Sequence, residues 1–298
     1  MLFRSVLDRF GKGIRSAPRD ALIAESVPRA ALGRAFGFHR MGDSLGAVIG
    51  PLLGLLALSL VGDDVRAAMW WALVPAGISV ALTLFVREQR RPIATAEQDS
   101  VDRGEAAARS KDPLPPAFRR VTTVLVLIAV VNFSDALLLL RVIELGHTTT
   151  EVVLAYVAFN TVYTLGAYPA GVLADRWPRP VVFAVGLSAF AIGYIGLGLV
   201  GQSGWVFVLV AVYGLFPAFT DGVGKAWVSS LVPTECTGHA QGVFQSLNNG
   251  AVLVAGLWAG LLWNVGPGDG QVPLLVAGGV AGAAAVAMAL APGLRQKT

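Results

Sequence analysis

Six stretches of this sequence contain no Asp, Glu, Lys or Arg: residues 44–62, 67–86, 152–174, 180–220, 240–268 and 270–294. A bilayer core about 30 Å thick is crossed by about 20 apolar residues in a helix, so these stretches have the length of membrane spans. The 41 residues of 180–220 hold one whole span and most of a second, separated at Gly201-Gln202-Ser203-Gly204. Segment 121–143 adds a span with one internal acid, Asp135. The pattern predicts eight helices near 36–60, 67–86, 120–142, 152–173, 180–200, 204–231, 238–263 and 271–291. Residues 4–26 form a ninth candidate, too polar to be recognised by hydropathy. The segments are apolar all round, whereas a soluble helical protein needs amphipathic faces. Charged residues make up only 14% of the chain, against about 25% in soluble domains. The predicted fold class is therefore an all-α integral membrane protein.

Chemistry that needs clustered ligands is absent from the pattern. Cys236 is the one cysteine, and His39, His147 and His239 are far apart, so no metal or cofactor is expected. Gly11-Lys12-Gly13 lacks the GxxxxGK[ST] spacing of a phosphate loop. No nucleophile–base pair appears either, and the chain is not expected to be an enzyme.

The net charge of +4 invites a nucleic-acid reading, but the positions of the charges oppose it. Alternate connections carry 14 Lys and Arg on one side, eight of them between residues 87 and 120, and only Arg66 and Arg141 on the other. Positive residues mark the cytoplasmic side, so the 87–119 linker and the C-terminal tail are expected there, in a multi-pass protein of the cytoplasmic membrane. No basic face interleaved with aromatics is left over for nucleic acid. The linker is charged and poor in apolar residues, with three prolines near its end, and reads as a tether.

Residues 27–37, VPRAALGRAFG, and 232–242, VPTECTGHAQG, share Val, Pro, Gly, Ala and Gly at a constant offset of 205. The offset continues with Asp43 on Asn248 and Leu52 on Leu257. Repeated helix bundles that bind a solute at their interface are a common transporter plan.

Two motifs then carry a resemblance. Gly171-Val-Leu-Ala-Asp175-Arg176-Trp-Pro-Arg179-Pro-Val-Val resembles the cytoplasmic loop motif G-x-L-a-D-R-x-G-R-[RK]-x-x of the major facilitator superfamily, departing from it at Pro178 and Pro180. Gly46-Ala-Val-Ile-Gly50-Pro51-Leu-Leu-Gly54 resembles that family's antiporter motif G-x-x-x-G-P-x-x-G-G, with Leu55 in place of the last Gly. The resemblance implies a helical bundle holding about nine of twelve helices, the fourth to the twelfth. Residues 1–86 would be the remainder of an N-terminal bundle, 87–119 a cytoplasmic linker, 120–291 a six-helix bundle and 292–298 a cytoplasmic tail. Counterparts of the helices at 120–200 would fall before Met1 at the repeat offset, so a chain lacking its first three helices is expected. It also implies that Asp175 and Arg176 latch helices together near a helix N-terminus or a basic partner, the alternative being a solvated pair. Gly42, Gly46, Gly50 and Gly54 form a bare stripe, read either as close helix packing or, with Pro51, as a bend that limits leak.

Ionisable residues inside spans each cost at least about 2.5–3.5 kcal/mol at the bilayer centre, so they mark function or pairing. Asp135 has no basic residue within one turn and is read as a proton or substrate site, or as a buried interhelical hydrogen bond. Asp43 follows Arg40 by three residues, which suits an intrahelical pair as well as coupling. Asp221 and Lys225 stand at i, i+4 and read first as a pair with each other. Asn160, Asn248 and Asn249 suit either a polar cavity or bridges between helices. In a helix over 4–26, Asp8, Lys12, Arg15 and Arg19 share one face, with Asp20 beside Arg19. Such a face must line the bundle interior. It resembles the arginine-bearing fourth helix of the superfamily and suits an anionic substrate or pairing with carboxylates on helices not present here.

The expected function is secondary active transport of a small solute by alternating access, coupled to protons and directed outward. The expected partners are solute, protons and the lipid bilayer, with a monomer if the chain is complete. The alternative is a non-transporting membrane protein: a sensor, an assembly partner or an inactive remnant.

Overall fold

The computed structural model describes residues 19–62, 64–84 and 114–290, and every regular element among them is helical. Residues 19–25 (α1) lead through a 3-10 turn, Arg29–Ala31, into α2, Leu32–Leu60. Then come α3, Val65–Trp71, and α4, Leu73–Leu84. After the linker come α5, Pro116–Ala129, α6, Asp135–Glu144, α7, Thr149–Arg176, and α8, Arg179–Leu199. The last four are α9, Trp205–Tyr213, α10, Leu215–Ser230, α11, Thr237–Leu261, and α12, Gln271–Leu290. Residues 1–18, linker residues 85–113 and the tail 291–298 lie outside the described residues, and with them Lys12 and Arg15.

Among the described residues, six helical stretches are long and apolar enough to cross a membrane: Arg29–Leu60, Val65–Leu82, Thr149–Arg176, Arg179–Leu199, Trp205–Ser230 and Gln271–Leu290. Local chemistry sets the ends of the helices. Thr148 and Glu151 close a capping box on α7, each side chain accepting from the other's backbone N–H. Pro116 opens α5, and Pro180 lies in the first turn of α8, where a missing N–H costs no helical bond. The second proline explains how the loop motif tolerates its departure from the family pattern.

Segment 120–142 is not the uninterrupted helix expected from its hydropathy. It breaks over 130–134 into α5 and α6, so Asp135 does not lie mid-helix but is the first residue of a half-helix. The break is built into the core. Phe133 is 1% exposed and packs on Tyr194, Trp258 and Trp263. The Trp258 indole N–H donates to the freed carbonyl of Val130 at 2.8 Å, satisfying backbone that lipid could not.

The connections meet at two opposite ends of the bundle. At one end the Arg29 guanidinium donates to Val232 O at 2.7 Å, and Asp175 reaches the start of α2. At the other, Arg141 donates to Leu197 O and Asp269 O, and the Gln202 amide to Gly146 O. A continuous apolar core runs through α5–α12, while a small separate cluster of Ala24, Leu32, Phe36 and Ala226 joins α1 and α2 to α10. The two parts touch chiefly where α2 crosses α7 and α10. A Cβ on Gly33 would run into Gly171 O, and one on Gly171 into Gly33 O, so only glycine permits this crossing.

Candidate functional site

Around the α2–α7–α10 crossing the structure gathers most of the ionisable residues singled out in the sequence. Asp20 and Lys225 form a buried ion pair, with side chains 0% and 7% exposed. Asp20 also accepts from the Gln245 amide at 3.0 Å, and Arg19 Nε stands 3.5 Å from its other oxygen. Positions 20 and 225 differ by the 205-residue repeat offset, as do 40 and 245. Two residues equivalent in a repeat can touch only near the axis relating the copies, so this pair lies on that axis.

The Asp221–Lys225 pair read from the i, i+4 spacing is not made. Lys225 turns to Asp20. Asp221 accepts instead from the Tyr163 hydroxyl at 2.6 Å and lies 4.0 Å from Arg40 Nη1. Arg40 also stands 3.8 Å from Asp43, so the Arg40–Asp43 pair suggested by spacing is present. His39 at 3.6 Å and Arg19 at 3.9 Å complete the surroundings of Asp43. Arg19 therefore meets carboxylates of this chain.

Asp135 stands apart from these pairs. Its carboxylate accepts from the Tyr213 hydroxyl at 2.9 Å, beside Asn132, and among the described residues it has no ion pair. The N-terminus of α6, capped by Ser134, offers it the positive end of a half-helix dipole.

Two adjoining cavities run between these groups. The larger, about 300 Å³, is bounded by Asp135, Asp43 and Asp221, by Arg40, Ser44 and Asn160, and by aromatic rings of α7, α9 and α10. The smaller, about 140 Å³, lies against Lys225, Gln245, Asn248 and Asn249. Arg40, Asn132, Phe216 and Asp221 line both, so these four side chains stand where the cavities adjoin. Asn160, Asn248 and Asn249 thus line cavities, and Asn160 also donates to Tyr156 O within its own helix.

At the arginine-rich end Asp175 accepts from Gly33 N at 2.7 Å and Arg34 N at 3.0 Å, and Arg34 Nε stands 3.3 Å away. The carboxylate thus caps α2 from α7, meeting both a helix N-terminus and a basic side chain. Arg176 is exposed, while Arg179 is buried and donates to the Ser230 hydroxyl. The glycine stripe behaves differently. Nothing lies within 4 Å of a Cβ built on Gly42, Gly46, Gly50 or Gly54, so among the described residues the stripe, with Pro51 in its helix, makes no close helix contact.

Tyr163, Tyr213 and Gln245 were not legible as site residues, since aromatic and amide side chains carry no spacing signal in an apolar helix. The offset was a usable signal for Gln245, because it makes that residue the repeat equivalent of Arg40.

Long apolar helices enclosing paired charges and two small cavities define a multi-pass membrane protein with a polar interior. The family model of the Major Facilitator Superfamily matches residues 1–144 and 123–297, and the chain belongs to that transporter family. An uncharacterised MFS-type transporter of Methanocaldococcus jannaschii is 30% identical over 269 residues, covering 88% of this chain and 65% of the relative. An uncharacterised protein of Mycobacterium tuberculosis is 23% identical over 88% of this chain and 64% of its own length. The multidrug resistance protein MdtG of a Rahnella species is 26% identical over 83% of this chain and 59% of its own. The chain thus spans less than two-thirds of the length of each of these relatives.

Proposed function

We propose that this chain takes part in proton-coupled export of a small organic solute by alternating access. The observation that carries the reading is Asp135: a carboxylate without an ion pair among the described residues, held by Tyr213, on the wall of the larger cavity. A group so placed exchanges a proton against a solute, and its occupancy biases which side of the bundle is open. The Asp175 cap supplies the element to be biased, since it joins α7 to α2 at one end and must release as that end opens. The name of the Rahnella relative supports outward movement of small molecules.

The test is flux in proteoliposomes under an imposed pH gradient. Asp135→Asn is expected to keep the fold, because the amide still accepts from Tyr213, and to lose the dependence on the gradient. A variant whose flux follows the gradient as the parent's does removes Asp135 from coupling and passes the role to Asp43.

The proposed orientation puts the arginine-rich end in the cytoplasm, following the 14-to-two Lys and Arg asymmetry of the connections. Reporter fusions after Arg103 and after Thr298 are both expected to read cytoplasmic. Reporters on opposite sides would refute an even number of crossings between them.

A further inference from the structure

Helix α6 is ten residues long and is cut off from α5 by the break at 130–134. A helix this short is marginal by itself, so its direction is set by whatever grips its two ends. At its start the grip is Phe133 among Tyr194, Trp258 and Trp263, with the Trp258 indole on Val130 O. At its finish, toward the arginine-poor end of the bundle, the grip is two side chains one turn apart, Arg141 and Glu144.

Arg141 is 8% exposed, and among the described residues it donates to the backbone of two different elements. Its Nε meets Leu197 O at 3.3 Å in the last turn of α8, where a cation also faces the negative end of the helix dipole. Its Nη1 meets Asp269 O at 2.7 Å, in the connection between α11 and α12. Glu144 accepts from the Trp263 indole N–H at 2.9 Å, at the start of that connection. The connection is itself shaped locally. Gly270, at φ +75°, lies so close under Trp263 that a Cβ would meet the ring at 2.6 Å, and its N–H donates to Trp263 O.

Asp135 is the first residue of the same helix, about 9 Å along the axis from Arg141. Its bond to the Tyr213 hydroxyl of α9 is therefore made from a helix whose other end is fastened to α8 and to the α11–α12 connection. We infer that Arg141 is a positioning residue for Asp135: by tying α6 to Leu197 O and Asp269 O, it holds the carboxylate against Tyr213. The guanidinium suits the task, because two nitrogens fixed in one plane set a direction where a single bond would allow a pivot. Movement of the 264–270 connection is then passed along α6 to Asp135. The inference rests on the reading of Asp135 as the group that takes up a proton.

The test follows protonation of Asp135 itself, by infrared spectra of the full chain in lipid nanodiscs over a pH titration. Its carboxyl band is assigned through loss in Asp135→Asn. The groups facing Asp135 are Tyr213 from α9, Tyr194 from α8 and Asp221 from α10, with Arg40 and Asp43 of α2 and Tyr156 and Tyr163 of α7 across the cavity. Tyr213→Phe removes the hydroxyl and is expected to move the midpoint by about one pH unit or more. Arg141→Leu is expected to move it in the same direction by about half a unit or more, and to add nothing in the Tyr213→Phe background, because both act through one bond. Arg141→Lys keeps the charge but puts one nitrogen where two were, and is expected to give a smaller shift of the same sign. The field of the charge alone would leave Arg141→Lys at the parent midpoint and would persist without the Tyr213 hydroxyl. Leu187→Ala, in the first half of α8, loosens the core by itself and is expected to leave the midpoint in place. A midpoint indifferent to both Arg141 variants, a shift that adds to that of Tyr213→Phe, or an equal shift in Leu187→Ala would overturn the inference. An Asp135 midpoint that responds to Arg141, in a protein whose flux ignores the pH gradient, would leave the inference standing and remove proton coupling. Flux that follows the gradient, with a midpoint indifferent to Arg141, would do the reverse.

Discussion

Lys225→Met is expected to destabilise the protein by about 3–5 kcal/mol, because it leaves Asp20 buried beside an apolar side chain. Asp20 keeps Gln245 as a donor and Arg19 at 3.5 Å, yet it loses its closest ionic contact, and its side chain is wholly inaccessible. Asp20→Asn is expected to cost a similar amount for the mirror reason, a buried ammonium left without its closest carboxylate. The double variant Asp20→Asn/Lys225→Gln removes both charges and leaves two amides that can bond each other, so it is expected to recover much of the loss. The comparison is a double-mutant cycle read by thermal or denaturant unfolding in detergent. Single variants as stable as the parent would show that the pair is not buried between the repeats.

Gly171→Leu is expected to separate α2 from α7, whereas Gly46→Leu is tolerated. The change is the same in both, but the surroundings differ. A Cβ on Gly171 meets the backbone of Gly33 and lies 3.2 Å from Gly37 Cα, atoms that cannot rotate away. Overpacking of this kind costs about 1–3 kcal/mol, and opening the crossing also pulls Asp175 from the N-terminus of α2, a cap worth about 0.5–2 kcal/mol. At Gly46 nothing lies within 4 Å, and a surface-like change within about 0.5 kcal/mol is expected. Cysteines placed at Phe38 and Tyr168, whose rings meet between α2 and α7, leave the Asp175 cap intact and report the separation through loss of cross-linking in Gly171→Leu alone. Equal cross-linking and equal stability in the two would deny that the glycine crossing holds this end together.

Much of the architecture was legible because it is decided locally. Transfer of a segment into lipid depends on its own side chains, so five of the six charge-free stretches fall on helices long and apolar enough to cross, whereas 240–268 falls on α11, which is not one of them. The loop motif was legible for a related reason: Asp175 follows a span and precedes another, which puts it at a helix end where it can cap a neighbour. Even the failed reading of 120–142 follows this rule. Hydropathy reports whether a segment can enter lipid, not whether its backbone stays helical. The break at 130–134 depends on Trp258, more than a hundred residues away, donating to Val130 O.

Which charge meets which was decided by the tertiary structure alone. Asp221 and Lys225 have the spacing of a helical pair, but a weak local attraction yields to better partners on other helices, Tyr163 and Arg40 for one and Asp20 for the other. Asp20 and Lys225 share the repeat offset, and the sequence by itself determined that they are equivalent positions. Equivalence does not imply contact. Contact arises only where the two copies approach their common axis, and that approach is set by how α1, α2, α10 and α11 pack. The bare glycine stripe on α2 makes the same point in reverse: its spacing permits close packing, and no described element comes near enough to use it. Sequence determined which groups enter the membrane, because each segment's transfer energy is its own. Structure decided their partners, because pairing is a property of two segments at once.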